Sequence, residues 1–286
     1  MKTCHFNKLP KAYLSYPDVL KASLKRKEQH SKIQKVKYVV DHFYIDAKNL
    51  VAYKKICGFE NNSIIPAIYF SVLSQNLQLH MMINEALPIP ILGLIHIENE
   101  IKQYCTLFAN RQYKLSCTLS EVYGHARGTV LEFSTVVECE GKEVVTCSSR
   151  YLSRKFIAIE KLPQLNKSIT LDECELRPVK EWYVKHNTGI KYAFSSGDFN
   201  PIHLHRWGAK AFGFSSTIAH GMWSKAKVLA NLDLPEAYEV FVQFKKPLYL
   251  SSFVELKNAQ ISNGVHFALQ SISDQKTHLI GELKVS

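Results

Sequence analysis

The chain has no cysteine pair at metal or redox spacing. Its seven cysteines, at positions 4, 57, 105, 117, 139, 147 and 174, are odd in number, scattered, and never C-x-x-C. That spacing argues against a zinc site or a dithiol redox centre, and several lie in apolar runs as reduced, buried thiols do. No charge-free apolar run reaches about 18 residues, so a membrane-spanning helix is not expected. The first residues, Met1 to Lys8, lack the apolar stretch of a secretory signal, and the closing Leu-Lys-Val-Ser matches no retrieval or prenylation signal. With 12 Gly and 10 Pro in 286 residues, collagen-like and low-complexity readings fail too. These absences lead to the expectation of a soluble cytoplasmic protein.

What is present is globular in character, with 46% hydrophobic, 11% aromatic and 21% charged residues. The length suits one large domain or two small ones of about 100–200 residues each. Net charge is +11, and most of the excess lies in one place. Residues 1–40 hold ten Lys or Arg against Asp18 and Glu28. A basic arm over 1–37 could meet nucleic acid, a membrane surface or an acidic protein, or simply be a solvated, partly helical lead-in. No groove-reading module accompanies it, so nucleic-acid binding is not expected.

Beyond the arm, Tyr38 to Asp46 has strand composition and Asp46 to Lys55 suits a short helix. The long, largely apolar Ile64 to Leu79 predicts a buried helix with Pro66 near its first turn. Strand-like segments follow over Leu92–Gln103, Tyr113–Val122, Thr129–Glu140 and Glu143–Leu152, with a hairpin turn at Glu140-Gly141-Lys142. One helix and then a run of antiparallel strands suggests a sheet wrapped around a helix. Periodicity fades from Ser153 to Pro178. The expected boundaries are therefore a first unit over 38–154, a linker over 155–178 and a second unit over 179–286.

The second unit repeats the first. Tyr192 stands five residues before Gly197 as Tyr53 stands five before Gly58, and Thr217 to Met222 opens a helix as Ile64-Ile65-Pro66 does. Strand-like stretches recur at Tyr238–Phe244, Phe253–Ile261, Val265–Ile272 and His278–Val285, with a turn at Ser262-Asn263-Gly264. Between its Gly and its helix the second copy inserts Asp198 through Ser216, where the first has Phe59 to Ser63. A long connection in a compact domain is often a functional loop.

That loop carries the chemistry. In Ser196-Gly197-Asp198-Phe199-Asn200-Pro201-Ile202-His203, Asn-Pro disfavours a continuous helix, so the segment turns and can bring Asp198 and His203 to one side. A carboxylate beside an imidazole can activate one water. The plainer alternative is a capping Asp and a satisfied polar His. Downstream, His220-Gly221-Met222 begins the helix. Backbone N–H groups at a helix start are unpaired and carry partial positive charge, and Gly allows close approach, so Gly221 could polarise a carbonyl. His220 suits packing or capping better than catalysis.

The string from Tyr192 to Ala209, followed by Ile218 to Met222, resembles the signature of MaoC-like hydratases: (R)-specific enoyl-CoA hydratases (hydratase 2) and related 3-hydroxyacyl-thioester dehydratases. The pattern Tyr-x-x-Ser-Ser-Gly-Asp-x-Asn-Pro-Ile-His, with Ala six residues beyond the His, is met throughout. The likeness is strong over 180–286. The first half resembles, more weakly, the degenerate unit of two-hot-dog members such as mycobacterial 3-hydroxyacyl-thioester dehydratases.

The resemblance implies an α+β double hot-dog fold, each unit a long central helix wrapped by an antiparallel sheet. It implies reversible hydration of trans-2-enoyl thioesters to (R)-3-hydroxyacyl thioesters in fatty-acid metabolism. By position, Asp198 and His203 become the catalytic pair and Gly221 the oxyanion hole, with Asn200, Ser196 and Gly197 in support. No serine further along the helix matches the family's contributing one, and no metal or other cofactor is implied. The substrate would ride on CoA or acyl carrier protein, a homodimer is compatible, and stable membrane insertion is not expected. The first unit, with Phe59 where Asp198 stands, would be catalytically silent. Its helix would wall the acyl tunnel or simply pack the core. The alternatives are a non-catalytic acyl-thioester or lipid-binding hot-dog protein and, from the basic arm, a nucleic-acid or membrane-surface protein.

Overall fold

The computed structural model describes residues 1–11, 35–60, 62–85, 87, 89–157, 169 and 176–286. Most of the basic arm and of the 155–178 linker lies outside the described residues. In the first unit, β1 (Lys2–Phe6) and β2 (Val36–Tyr44) precede α1 (Ala47–Cys57) and α2 (Ile68–Asn84). Then come β3 (Ile95–Gln103), β4 (Gln112–His125), β5 (Gly128–Cys139) and β6 (Lys142–Ser153). The second unit runs β7 (Arg177–Val184), α3 (Thr188–Ser196), α4 (Pro201–Leu204), α5 (Arg206–Ala211), α6 (Gly221–Leu229), β8 (Tyr238–Phe244), β9 (Ser252–Ile261), β10 (Gly264–Ser271) and β11 (Thr277–Val285).

All the strands join one sheet in the order β1-β2-β4-β5-β6-β3-β8-β11-β10-β9-β7. Apart from β1, the two halves have the same strand order, reflected about the β3–β8 pair, where Glu98 meets Gln243 and Ile101 meets Val240 in an antiparallel ladder. Two equivalent strands pairing antiparallel is what an internal two-fold requires. The repeat in the sequence is therefore a repeat in space. Tyr53 and Tyr192, the matched tyrosines, are both fully buried with ring centroids 6.0 Å apart. Each lies on a helix closed by a left-handed glycine, Gly58 (φ 89°) or Gly197 (φ 79°).

Local chemistry explains the element ends. Asp46 caps α1 by accepting from the backbone N–H groups of Lys48 and Asn49. Glu140 (φ 52°) and Gly141 (φ 76°) form the mirror-image turn that matches strand twist between β5 and β6. In α2, Ile68, Tyr69, Phe70, Val72, Leu77 and Met81 are buried, because the sheet curls around the helix and leaves it no solvent face.

Several expectations need correction. Helix α2 begins at Ile68, beyond Pro66, and runs to Asn84. The second central helix is short: α6 has nine residues. Asn231 donates its side-chain amide to the Lys227 carbonyl, and Pro235 follows soon after, so the helix does not extend. Residues 2–6, read as part of a solvated arm, form β1, which adds to the edge of β2 in parallel. Strand β7 has no counterpart in the sequence reading. It is mostly exposed and among the described residues pairs with β9 only, so it carries no apolar alternation to read.

The seam between the units is partly polar. The Gln243 amide donates to Glu98, and Arg150 bridges Glu98 and Glu132. Behind the seam the fully buried Lys225 of α6 directs its ammonium at the Asn99 side-chain oxygen (2.6 Å), the Asn99 carbonyl and the Val240 carbonyl. Burial lowers its pKa to about 7. Trp223 donates its indole N–H to the Ile56 carbonyl, tying α6 to the end of α1. No helix among the described residues is long and apolar enough to cross a membrane.

Candidate active site

The segment from Tyr192 to Leu204 is held by successive turns. Gly197 must take positive φ to end α3, and its N–H reaches the Ala193 carbonyl. The Ser196 hydroxyl donates to the Tyr192 carbonyl and accepts from the Asp198 N–H. The Asp198 carboxylate accepts from the Asn200 N–H, and the Asn200 side chain in turn caps α4 through the Ile202 N–H, with Pro201 at the first helical position. Ser196, Gly197 and Asn200 thus shape the backbone that presents the Asp and the His.

His203 is buried, and its Nδ1 lies 2.9 Å from the Ile218 carbonyl. A carbonyl only accepts, so Nδ1 carries the proton and Nε2 keeps a lone pair. Burial lowers its pKa from the ordinary histidine value, against the pull of Asp198 and the Ile218 bond, so the ring is neutral near pH 7. His220 stacks on it with centroids 3.7 Å apart. The His220 Nε2–H donates to the backbone carbonyl of Asp198 at 3.0 Å, and burial lowers its pKa to about 3. The expected packing or capping part for His220 therefore takes a specific form: it ties the start of α6 to the Asp198 loop.

Gly221 follows as the first residue of α6, its backbone on the cavity wall. A Cβ there would press on the Phe244 ring at 3.1 Å, so glycine keeps this approach open. Ligand atoms of Asp198, His203 and His220 lie within 4.8 Å of one another. Each of the two stacked rings spends one nitrogen on a backbone carbonyl, Ile218 for His203 and Asp198 for His220, which leaves one lone pair per ring.

These groups open on a cavity of about 380 Å³ built from both units. The second unit supplies Asp198, Asn200, His203, His220, Gly221 and Met222. The first supplies Gln75, Gln78, Leu79 and Met82 from α2, His96 from β3 and Tyr151 from β6. The helix expected to be either wall or core is both: its middle and end face the cavity, and Ile68 to Val72 pack the core. Exposed cations, Arg127, Arg154, Lys245 and Lys246, stand at the cavity edge. Sequence reasoning missed the first unit's polar residues, which carry no local signal. It also carried over no serine on the helix, yet Ser224 of α6 lines the cavity, its hydroxyl bonded to the His220 carbonyl.

The matching position of the first unit is filled. Phe59 stacks on Tyr53, and Lys54 bonds the side chain and carbonyl of Asn62. Phe59 is half-buried and does not line the cavity. Phe59→Ala should therefore lower stability by about 1–2 kcal/mol and leave turnover within about twofold. Urea denaturation and steady-state rates check this, and loss of activity in a folded variant would contradict it.

The profile of the MaoC like domain matches residues 158–250. The 3-hydroxyacyl-thioester dehydratase X of Mycobacterium tuberculosis is 27% identical over 250 residues, 86% of this chain and 88% of that protein. The crystal structure of HtdX of the same organism superposes with a TM-score of 0.76 at 25% identity, covering 87% of this chain and all (100%) of that one. A MaoC-like dehydratase from Phytophthora capsici, at 17% identity and a TM-score of 0.70 over 88% of this chain and 95% of the other, shares the fold. Residues 158–250 match the MaoC like domain, and motif, sequence and double hot-dog architecture agree in making the chain similar to MaoC-like and 3-hydroxyacyl-thioester dehydratases.

Proposed function

We propose that the chain catalyses reversible addition of water to trans-2-enoyl thioesters, forming (R)-3-hydroxyacyl thioesters in fatty-acid metabolism. The observation that carries this reading is the convergence of Asp198, the acceptor Nε2 of His203 and the Gly221 N-terminus on one cavity. Asp198 and His203 hold a water between them. As its oxygen bonds to C3, one O–H bond breaks and the proton passes to His203 Nε2 or the carboxylate. The C2=C3 electrons move toward the thioester carbonyl, whose growing negative charge meets the Gly221 N–H and the positive end of α6. The same pair returns a proton to C2, so the sum is OH on C3 and H on C2. The reverse sequence dehydrates.

His220 acts as a positioning residue through its bond to the Asp198 carbonyl and its stack on His203. The relatives' dehydratase name agrees with a thioester substrate. The basic rim suits an anionic carrier, CoA phosphates or the acidic face of an acyl carrier protein. The test is hydration of a chain-length series of trans-2-enoyl-CoA thioesters with chiral analysis of the product. The (R)-3-hydroxy product is expected. The (S) product, or no turnover on CoA and carrier-protein thioesters alike, would overturn the proposal and favour a binding-only protein.

A further inference from the structure

The first unit's wall is not a plain apolar surface. Tyr151 and His96 stack at 4.4 Å, and His96 packs on Phe244, the ring that also lies against Gly221. His96 is thus one aromatic ring away from the amide proposed to hold the thioester carbonyl. Both His96 and Tyr151 feel the Asp198 carboxylate across the cavity. Burial lowers the His96 pKa to about 3 and keeps the ring neutral, and a backbone hydrogen bond at Glu98 pulls the other way, so the ring donates there, to a carbonyl. The other nitrogen, Nε2, keeps its lone pair. That Nε2 is buried and has no partner among the described residues.

The donors around it are committed elsewhere. Tyr151 gives its hydroxyl proton to Gln78 at 2.8 Å, and the Gln75 amide points at the Tyr151 oxygen. The nearby Lys225 ammonium has three protons and three oxygen partners, at Asn99 and Val240. His96 lines the cavity, and its Nε2, an acceptor covered from water with its neighbours' donors spent, is matched by a donor on a ligand that displaces the side chains over it. An unsubstituted enoyl chain has none.

We propose that His96 is a specificity residue of the first unit, accepting a hydrogen bond from an O–H or N–H group carried by the thioester substrate. The donor is either a hydroxyl on the acyl chain or an amide N–H of the pantetheine arm. This rests on the thioester reading above and deepens it: the unit without a catalytic pair reads the substrate.

The test uses wild type, His96→Phe, which keeps the stack on Tyr151 and Phe244, and His96→Gln, which keeps an acceptor. Three substrates are compared: a medium-chain trans-2-enoyl-CoA, its ω-hydroxylated counterpart, and the same enoic acid as an ethyl thioester lacking the pantetheine amides. For a donor-bearing substrate, His96→Phe should raise KM by about tenfold with kcat nearly unchanged, the worth of one hydrogen bond, and His96→Gln should restore most of it. A penalty confined to the ω-hydroxy substrate identifies an acyl hydroxyl. A penalty on both CoA esters that spares the ethyl thioester identifies the pantetheine amide. Equal change with all three substrates, or none, overturns the proposal.

Calorimetric binding of a saturated acyl-CoA, its ω-hydroxy analogue and the matching ethyl thioester to wild type and His96→Phe separates this from the catalytic reading. Should wild type hydrate nothing, weaker binding confined to the donor-bearing ligands would still support His96 as the acceptor. Unchanged binding, or the same loss with all three, would overturn it.

Discussion

Asp198→Asn and His203→Gln should each lower kcat by about 10²–10⁴-fold while leaving the thermal midpoint near that of wild type. Both substitutions keep shape and most local hydrogen bonds. Asn can still accept from the Asn200 N–H through its side-chain oxygen, and Gln can reach the Ile218 carbonyl with its amide, as His203 Nδ1 does. What each loses is the ability to take a proton from water. Because the two groups act on one water, the double variant should be little worse than either single one. A single variant with wild-type turnover would show that its residue is not a proton acceptor, and a collapsed midpoint would mean that the loss reflects folding.

The pH profile gives the same assignment an independent check. His203 works as a base only when neutral, and burial places its pKa below the ordinary value of about 6.5. The acid limb of kcat/KM should therefore fall below pH 6.5. A limb at or above that value would contradict a buried neutral imidazole.

Stability should drop steeply on mild acidification, well before ordinary carboxylates titrate. His96 and His220 are both held neutral by burial, with folded pKa values lowered to about 3. In the unfolded chain each takes up a proton near pH 6.5. Below that pH the unfolded state binds protons that the folded state cannot, so unfolding is favoured by about 1.4 kcal/mol per pH unit per ring. Their full contribution is present above pH 6.5 and declines as pH falls toward about 3. Between pH 7.5 and 5 the two rings together cost about 4 kcal/mol, a large part of a typical total of about 5–15 kcal/mol. His203 adds in the same direction. Urea denaturation at pH 7.5 and pH 5 should show this difference, and His96→Phe, which removes one titration, should flatten it. Equal midpoints at the two pH values would show that these rings are accessible to protons in the folded state.

The sequence made the candidate site legible because its geometry is local. Ser196 to His203 is a run of turns whose hydrogen bonds close within a few residues, so Asp198, Asn200 and His203 can be related from their spacing alone. Gly221 was readable as a helix start, and both hairpins from their turn residues. The repeat was visible because each copy places a buried Tyr five residues before a glycine that must turn left-handed. The short α6 was harder to read, since its end depends on the side-chain bond of Asn231 as well as on composition.

By itself, then, the sequence determined the two-unit architecture, the loop that carries Asp198 and His203, and the absence of any such pair in the copy that has Phe59. Tertiary structure alone decided what faces that loop. The pairing of β3 with β8 joins the two units' sheets, and so sets His96 and Tyr151, 102 and 47 positions earlier in the chain, opposite Asp198. It likewise decided that β1 caps a sheet edge and that Lys225 is buried on Asn99. The physical reason is range. A turn is specified by the conformational limits of its own residues, whereas the wall of a cavity is specified by which surfaces a whole sheet must bury together, and no short stretch of sequence carries that.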